Sequence, residues 1–353
     1  MKSHDIVEWG QPLRTRTRPV PVPSGREVLL RISHCGVCHT DVHIRDGYYD
    51  LGGDRKISFA DRGFILPITL GHEPVGVVEA AGEAVPSAIV GKRFLVNPWI
   101  GCGQCRMCAA DNDQFCDAMQ AVGMGGQGGF ATHLLIRDPA YLVDIDGLDP
   151  AQAAPLACSG LTTYSAIKKL MPIDPRDWIA VIGCGGLGSM AIAILRGLGH
   201  ERVVACDIDD AKLDAARALG AQATFRIGHD GTERLREIAE GTLYGVLDFV
   251  GSADTVALAL PALRRGGRLV VCGLFGGSAS VPIPPLALRE ISILGSAVGS
   301  TRDLVELVDL VKQGRVTLPK VESRPVAAAE QSLVDLQAGR VIGRIVLTID
   351  EAE

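Results

Sequence analysis

The chain has 353 residues, room for two domains rather than one. With 47% hydrophobic and 22% charged residues it is a globular sequence and not a disordered one. The net charge of −6, with no basic block, argues against nucleic acid or an anionic membrane surface as a partner.

Residues 1–11 carry charges and a tryptophan but no long apolar run, so neither a leader nor a membrane span is expected, and the expected location is the cytoplasm. Arg14, Arg16 and Arg18 read as a solvated loop. Up to about Leu156 the segments are short. Strand-like runs such as 28–32 and 94–96 alternate with Gly- and Pro-rich connections, and Gly125, Gly126, Gly128 and Gly129 make a turn before an apolar run. This half reads as a β-rich, barrel-like domain.

Within it, Cys35-Gly36-Val37-Cys38-His39-Thr40-Asp41-Val42-His43 packs two thiols and two imidazoles together, and Gly71-His72-Glu73 is a second ligand-rich spot. The intervening segment 45–67 holds Tyr48, Tyr49, Phe59, Asp50, Asp54, Arg55 and Lys56. It could shape a pocket, cover a cleft or mediate assembly. Trp99 is either a pocket wall or a core residue.

The chain has ten cysteines, four of them Cys102, Cys105, Cys108 and Cys116. Two-residue gaps let a loop turn successive thiolates toward one centre, and the longer last gap lets a fourth close a tetrahedron. Four thiolates leave no open coordination position, so such a site is structural; a soft all-sulfur shell suits zinc, or iron as an alternative occupant. Four incidental free thiols is the competing reading, and a disulfide framework would require an oxidising compartment. Cys158, in Ala157-Cys158-Ser159-Gly160, sits at the seam between the two halves.

Beyond the seam the pattern becomes strand, helix, strand. Continuous apolar or strand-like runs are expected at 178–182, 202–206, 223–227, 245–250, 268–272 and 291–294, with helices at 187–198, 210–219, 232–239 and 253–263. The alternation predicts a parallel sheet covered by helices. An amphipathic helix at 303–312 and a strand at 343–349 finish the chain.

Gly183-Cys184-Gly185-Gly186-Leu187-Gly188 is a G-x-G-x-x-G run that follows one of these strands and opens a helix. In that context Gly183 permits the turn, Gly185 lets a pyrophosphate approach, and Gly188 allows helix and strand to pack closely. The helix N-terminus offers free N–H groups and positive potential to phosphate. Asp207, at the end of the next strand, suits ribose hydroxyls and repels a 2′-phosphate; with Asp209 and Asp210 close by, NAD is expected rather than NADP.

Taken together, the C-G-x-C-H-T-D segment, the G-H-E segment, the cysteine quartet and a late cysteine before the glycine motif resemble the zinc-dependent medium-chain alcohol dehydrogenases along essentially the whole chain. The resemblance implies an α/β protein: a GroES-like β-rich catalytic domain (1–155 and 298–353) plus a Rossmann doubly wound parallel sheet (156–297). It implies two zinc ions per chain and NAD. Cys38, His72 and Cys158 would hold a catalytic zinc with Glu73 nearby, Asp41 would orient the histidine, and Cys35 would be a packed residue. Thr40 and His43 would relay a proton. His39, Thr162, Lys212 and Arg344 would join Gly183, Gly185, Gly186, Leu187, Gly188 and Asp207 around the cofactor. The implied activity is reversible hydride transfer between a primary or secondary alcohol and NAD, giving an aldehyde or ketone. A zinc-containing NAD-binding protein without turnover, or a quinone-reductase-like member, is the alternative class. The run D-G-Y-Y-D-L-G-G also loosely resembles a subgroup that includes 6-hydroxyhexanoate dehydrogenase-like proteins. Residues 278–285 with the strand 291–294 could pair edge to edge across a homodimer or homotetramer.

Overall fold

The computed structural model describes residues 1–52 and 55–349. Asp54 and the C-terminal residues from 350 lie outside the described residues. The N-terminal half is built on a seven-stranded mixed sheet. Its axis is the strand Val28–Gly36, which pairs with Pro74–Ala81 on one side. On the other side its first half pairs with His133–Ile136 and its second half with Arg344–Thr348. The chain therefore returns to this sheet at its far end, with Val321–Pro325 beside the last strand. Arg14–Thr17 is a short exposed strand paired with Lys2–Ile6, not the loop expected from sequence; the partner strand supplies the hydrogen bonds that its turn-like composition lacks.

The second half is a six-stranded parallel sheet in the order Ala223–Arg226, Val203–Asp207, Trp178–Ile182, Leu243–Asp248, Arg268–Val271, Ser292–Gly295. The strand order reverses beside Trp178–Ile182, the point in a doubly wound sheet where ligands lodge beyond the strand ends. Every residue of Trp178–Ile182 is buried, as its unbroken apolar run requires. Truncating Ile179 to Ala there would cost about 2–5 kcal/mol.

Two elements depart from the sequence reading. The helix Ser159–Lys168 is not announced by any stripe, because residues 159–167 are all buried and small polar residues alternate with apolar ones. The segment 278–285 does not form a strand: Pro284 and Pro285 open the helix Ile283–Leu288, where their missing N–H groups cost nothing. The largest apolar core runs through both halves, joining Val75, Trp99 and Val346 to Leu161, Met190 and Leu304. Cys38 and Cys158 both belong to this core.

Candidate active site

Cys38 caps the helix His39–Asp46 in extended conformation. Its backbone N–H donates to Asp41 Oδ2 at 2.9 Å, which closes the first turn back on itself. The other Asp41 oxygen accepts from Gly71 N at 3.2 Å and lies 3.1 Å from His72 Nδ1. Asp41 is fully buried. A carboxylate so held fixes the proton on His72 Nδ1 and leaves Nε2 free to act as a ligand. Gly71 makes the approach possible. Its φ is +95°, and a Cβ there would lie 2.5 Å from Phe130 Cδ1 and 2.8 Å from Cys35 Sγ.

Around that nitrogen the side chains converge. The sulfurs of Cys38 and Cys158 are 3.9 Å apart. Ligand atoms of Cys38, His72, Glu73 and Cys158 all lie within 4.8 Å of one another, and all four residues are buried. His72 Nε2 has no hydrogen-bond partner despite full burial. Two thiolates on a zinc tetrahedron are expected about 3.8 Å apart, given Zn–S bonds of about 2.3 Å. The donor set therefore fits zinc, and a buried imidazole nitrogen with no hydrogen-bond partner is suited to be one of its ligands. The Cys158 thiol, as hydrogen-bond donor, and the charge of Arg344 hold the Cys38 thiol well below its ordinary range against the opposing effect of burial. Cys35 is not in this set; its thiol faces the Gly36 carbonyl and the packing around Gly71 and Gly129.

Glu73 pairs through Oε1 with Arg344 Nη2, and its Oε2 is unpartnered. Burial pushes its carboxyl up to about 7, against the pull of the guanidinium. Arg344, 5% exposed, begins the strand Arg344–Thr348. A Cβ at Gly186 would lie 2.7 Å from Arg344 Cδ, so this arginine stands between the ligand set and the first turn of the helix Gly186–Gly197. Gly183 and Gly185 form the turn into that helix, and Gly188 lies so close that a Cβ would come within 2.0 Å of Gly183 O. Leu187 O accepts from Thr163 Oγ1 at 3.4 Å, a contact the sequence did not single out. Neighbouring Thr162 is buried, one turn into the helix that starts at Cys158.

Asp207 ends its strand at the sheet crevice and is held by three backbone amides: Cys184 at 2.6 Å, Ile208 at 2.7 Å and Asp209 at 3.0 Å. Arg226 is its register partner on the next strand, but its guanidinium is engaged by Asp210 at 2.8 Å. Lys212 is half-buried in the helix Asp210–Ala218. His39 is solvent-accessible, in a cleft that lowers its pKa first by desolvation and then through His43, Arg344 and Lys212.

Thr40 Oγ1 is 3.8 Å from Cys38 Sγ. His43 is half-buried and its ring centroid is 5.0 Å from that of Tyr49. Burial lowers the His43 pKa. Tyr49 belongs to the strand Tyr48–Gly52, which pairs with Arg55–Ser58 as a hairpin inside the segment 45–67. Burial, then the Cys38 charge, pushes the Tyr49 phenol up to about 12. The hairpin reaches across to the parallel-sheet half: a Cβ on Gly52 would come 2.5 Å from Gly277 Cα, and one on Gly276 would come 2.6 Å from Asp50 O. Of the three roles left open for this segment, these contacts favour lining and covering the cleft. Trp99 is 4% exposed with its ring 5.9 Å from that of His72. It is at once a core residue and a wall of the ligand set.

The quartet lies apart from this centre. Cys105 and Cys108 sulfurs are 3.6 Å apart, and those of Cys102 and Cys108 are 4.0 Å apart. All four sulfurs fall within 4.8 Å of one another, spacings that suit a closed zinc tetrahedron. Backbone N–H groups of Gln104 and Cys105 pull the Cys102 thiol down to about 6, so the loop favours thiolate before any ion arrives.

The comparisons with known proteins agree with this layout. Residues 24–146 match the alcohol dehydrogenase GroES-like domain, and residues 186–313 match the zinc-binding dehydrogenase domain. The chain is 34% identical over 350 residues to an NAD-dependent alcohol dehydrogenase of Sulfurisphaera tokodaii, covering 98% of this chain and 99% of that one. It is 33% identical over 353 residues to an alcohol dehydrogenase of Geobacillus stearothermophilus, covering 99% and 100%. The solved structure of the alcohol dehydrogenase from Aeropyrum pernix superimposes with a TM-score of 0.89 at 32% identity, over 99% of this chain and 100% of that one. With both domains matched and full-length relatives above 30% identity, the chain belongs to the zinc-dependent medium-chain alcohol dehydrogenase family.

Proposed function

We propose that the buried set at the seam is the catalytic centre of an NAD-dependent alcohol dehydrogenase, with Cys38, His72 and Cys158 as zinc ligands and Cys102, Cys105, Cys108 and Cys116 as the structural zinc site. The enzyme interconverts a small-molecule alcohol and its aldehyde or ketone. The observation that carries the assignment of ligands is the unpartnered His72 Nε2, buried beside two thiols and oriented by Asp41. Zinc bound there supplies Lewis acidity that lowers the pKa of the substrate hydroxyl. NAD bound at the glycine turn supplies the hydride acceptor.

The chain's own residues do the rest. Asp41 holds the histidine in one tautomer. Thr40 Oγ1 accepts the substrate hydroxyl proton as it gives up its own, and the His43 imidazole, kept neutral by burial, takes the relayed proton onward toward solvent. Glu73 stands beside the ligands, tied to Arg344, which with His39, Lys212, Thr162, Gly183, Gly185, Gly186, Leu187 and Gly188 frames the dinucleotide. Asp207, presented by three amides, receives the adenosine ribose hydroxyls. Tyr49 and Trp99 line the substrate side and keep water out.

The domain division 1–155 with 298–353 against 156–297 is supported by sheet membership, since each sheet draws its strands from one set alone. A homodimer or homotetramer is supported by the unshared outer edge of Ser292–Gly295 among the described residues. In the chain between the last two strands of that sheet, Phe275, Leu288, Ile283 and Leu274 are exposed at 77, 71, 67 and 58%. A cytoplasmic location is supported by ten free cysteines, two groups of which are arranged as thiolate ligands that a reducing compartment preserves. Among the described residues no helix is long and apolar enough to cross a membrane. Steady-state NADH formation with primary, secondary and ω-hydroxy alcohols tests the reading. Turnover that survives intact in His72→Ala would overturn the ligand assignment.

A further inference from the structure

Asp113 lies inside the quartet's loop yet spends its carboxylate elsewhere. Its backbone oxygen accepts from Cys116 N at 3.0 Å, which ties it to the quartet. Its side chain, in a residue only 7% exposed, accepts from Thr301 N at 3.2 Å through Oδ1 and from Thr301 Oγ1 at 2.7 Å through Oδ2. Thr301 is the first residue of the helix Thr301–Lys312, so a negative charge from the metal loop sits at the N-terminus of a helix far away in sequence. The Thr301 hydroxyl also accepts from Asn97 Nδ2 at 2.7 Å. Asn97 is completely buried, and its Oδ1 accepts from Trp99 N at 3.2 Å. The Trp99 ring then lies against His72.

A second route leaves the same latch. Leu307, in the helix that Asp113 caps, packs on Gly160 so closely that a Cβ there would meet Leu307 Cδ2 at 2.9 Å. Gly160 is in the helix that begins at Cys158. The quartet's loop thus reaches two of the three catalytic ligands, one through Asn97 and Trp99 and one through Leu307 and Gly160.

We infer that Asp113 is a positioning residue: through Thr301 and Asn97 it lets the state of the quartet set the Trp99 wall beside His72. This rests on the catalytic reading of Cys38, His72 and Cys158. A purely structural loop needs only its four sulfurs and its own backbone. It does not need a buried carboxylate fastened to a residue 188 positions away in sequence. Filling the quartet fixes the loop, the loop fixes Asp113, and Asp113 holds Thr301 and Asn97 in one arrangement. Emptying the quartet frees that arrangement without touching the catalytic ligands.

The test uses the full-length holoenzyme and Thr301→Val, which keeps the N–H bond to Asp113 and removes the hydroxyl that joins Asp113 to Asn97. Thr301→Val is expected to keep two zinc ions and wild-type NADH affinity, and to raise the alcohol KM about fivefold with a smaller change in kcat, the size expected for losing a buried hydrogen bond. Three tryptophans are present, so Trp9→Phe with Trp178→Phe leaves Trp99 as the sole reporter. In that background, emptying the quartet with Cys105→Ser should shift Trp99 emission, and the shift should largely vanish when Thr301→Val is added. Should the double variant fold poorly, Asn97→Ala serves in place of Thr301→Val. An unchanged KM in Thr301→Val, or an emission shift of equal size with and without the hydroxyl, would overturn the latch. Because the emission readout needs no turnover, a response of Trp99 in a protein that oxidises no alcohol would keep the latch and discard the catalytic reading.

Discussion

One sulfur-rich set of this molecule comes from a single loop, residues 102–116, whose outer three cysteines are partly exposed. The other draws Cys38, His72 and Cys158 from segments 120 residues apart and buries all of them. Backbone N–H groups support the sulfurs of the loop set, as at Cys102, where Cys105 N donates at 3.3 Å. A buried carboxylate, Asp41, supports the seam set, and a second ion pair, Glu73 with Arg344, stands beside it. The loop set can close on its own ion with four equivalent thiolates. The seam set offers three ligands of two kinds and is completed only when both halves of the chain are in place. A closed set suits holding a loop; an open set at a seam suits binding something that comes and goes.

Removing a seam ligand should produce the largest effect. Cys38→Ala or His72→Ala should lower kcat/KM by more than about 1,000-fold and remove one zinc per chain, because the Lewis acid is lost while the quartet is untouched. Metal analysis alongside the NADH assay checks both halves of that statement. Asp41→Asn should follow, at about 10–100-fold in activity or metal affinity, since the amide no longer fixes the histidine tautomer. A change of less than twofold would make the seam set no more dependent on an orienting acid than the loop set is.

His43→Ala should cost about tenfold and change the shape of the pH profile. The neutral imidazole is the working form, and burial places its pKa below 6.5. Wild-type kcat/KM should therefore fall only as the pH drops through that lowered pKa, and His43→Ala should lack this inflection. Asp207→Ala should weaken NAD about tenfold and improve the relative use of NADP, with Arg226 left as the nearest cation on the adjoining strand. Unaltered cofactor preference would count against its role. The smallest effect on chemistry is expected from Cys105→Ser. It should lower Tm by on the order of 10 °C through loss of a metal cross-link, while the folded enzyme keeps activity to within about fivefold, the share carried by Asp113.

The same contrast explains what the sequence revealed. The quartet and the G-x-G-x-x-G turn are contiguous, so their spacing alone announces a metal loop and a phosphate turn. The seam set is not readable that way. Cys35 and Cys38 are equal candidates by spacing, and only the family resemblance selects Cys38; the structure then shows Cys35 packed among Gly71, Gly129 and Pro74. The strands of the parallel sheet fall within two residues of expectation, and the central ones, such as Trp178–Ile182 and Val203–Asp207, are buried on both faces and read as continuous apolar runs. The helix Ser159–Lys168 was invisible for a related reason: burial on every side erases the polar stripe that marks a helix. The Tyr48–Gly52 hairpin, rich in glycine and charge, gave no strand pattern, and its contact with Gly277 is a tertiary fact. Asp113 looked like one more polar residue between cysteines, and its partner Thr301 is too distant for any local pattern to join them.

The most direct test of the account is to count zinc per chain in the wild type and in His72→Ala, with circular dichroism to confirm that both are folded and NADH formation to report turnover. The account predicts two zinc ions and activity in the wild type, and one zinc ion, an intact fold and no measurable turnover in the variant. A folded His72→Ala that keeps two zinc ions, or that turns alcohol over at the wild-type rate, would contradict it.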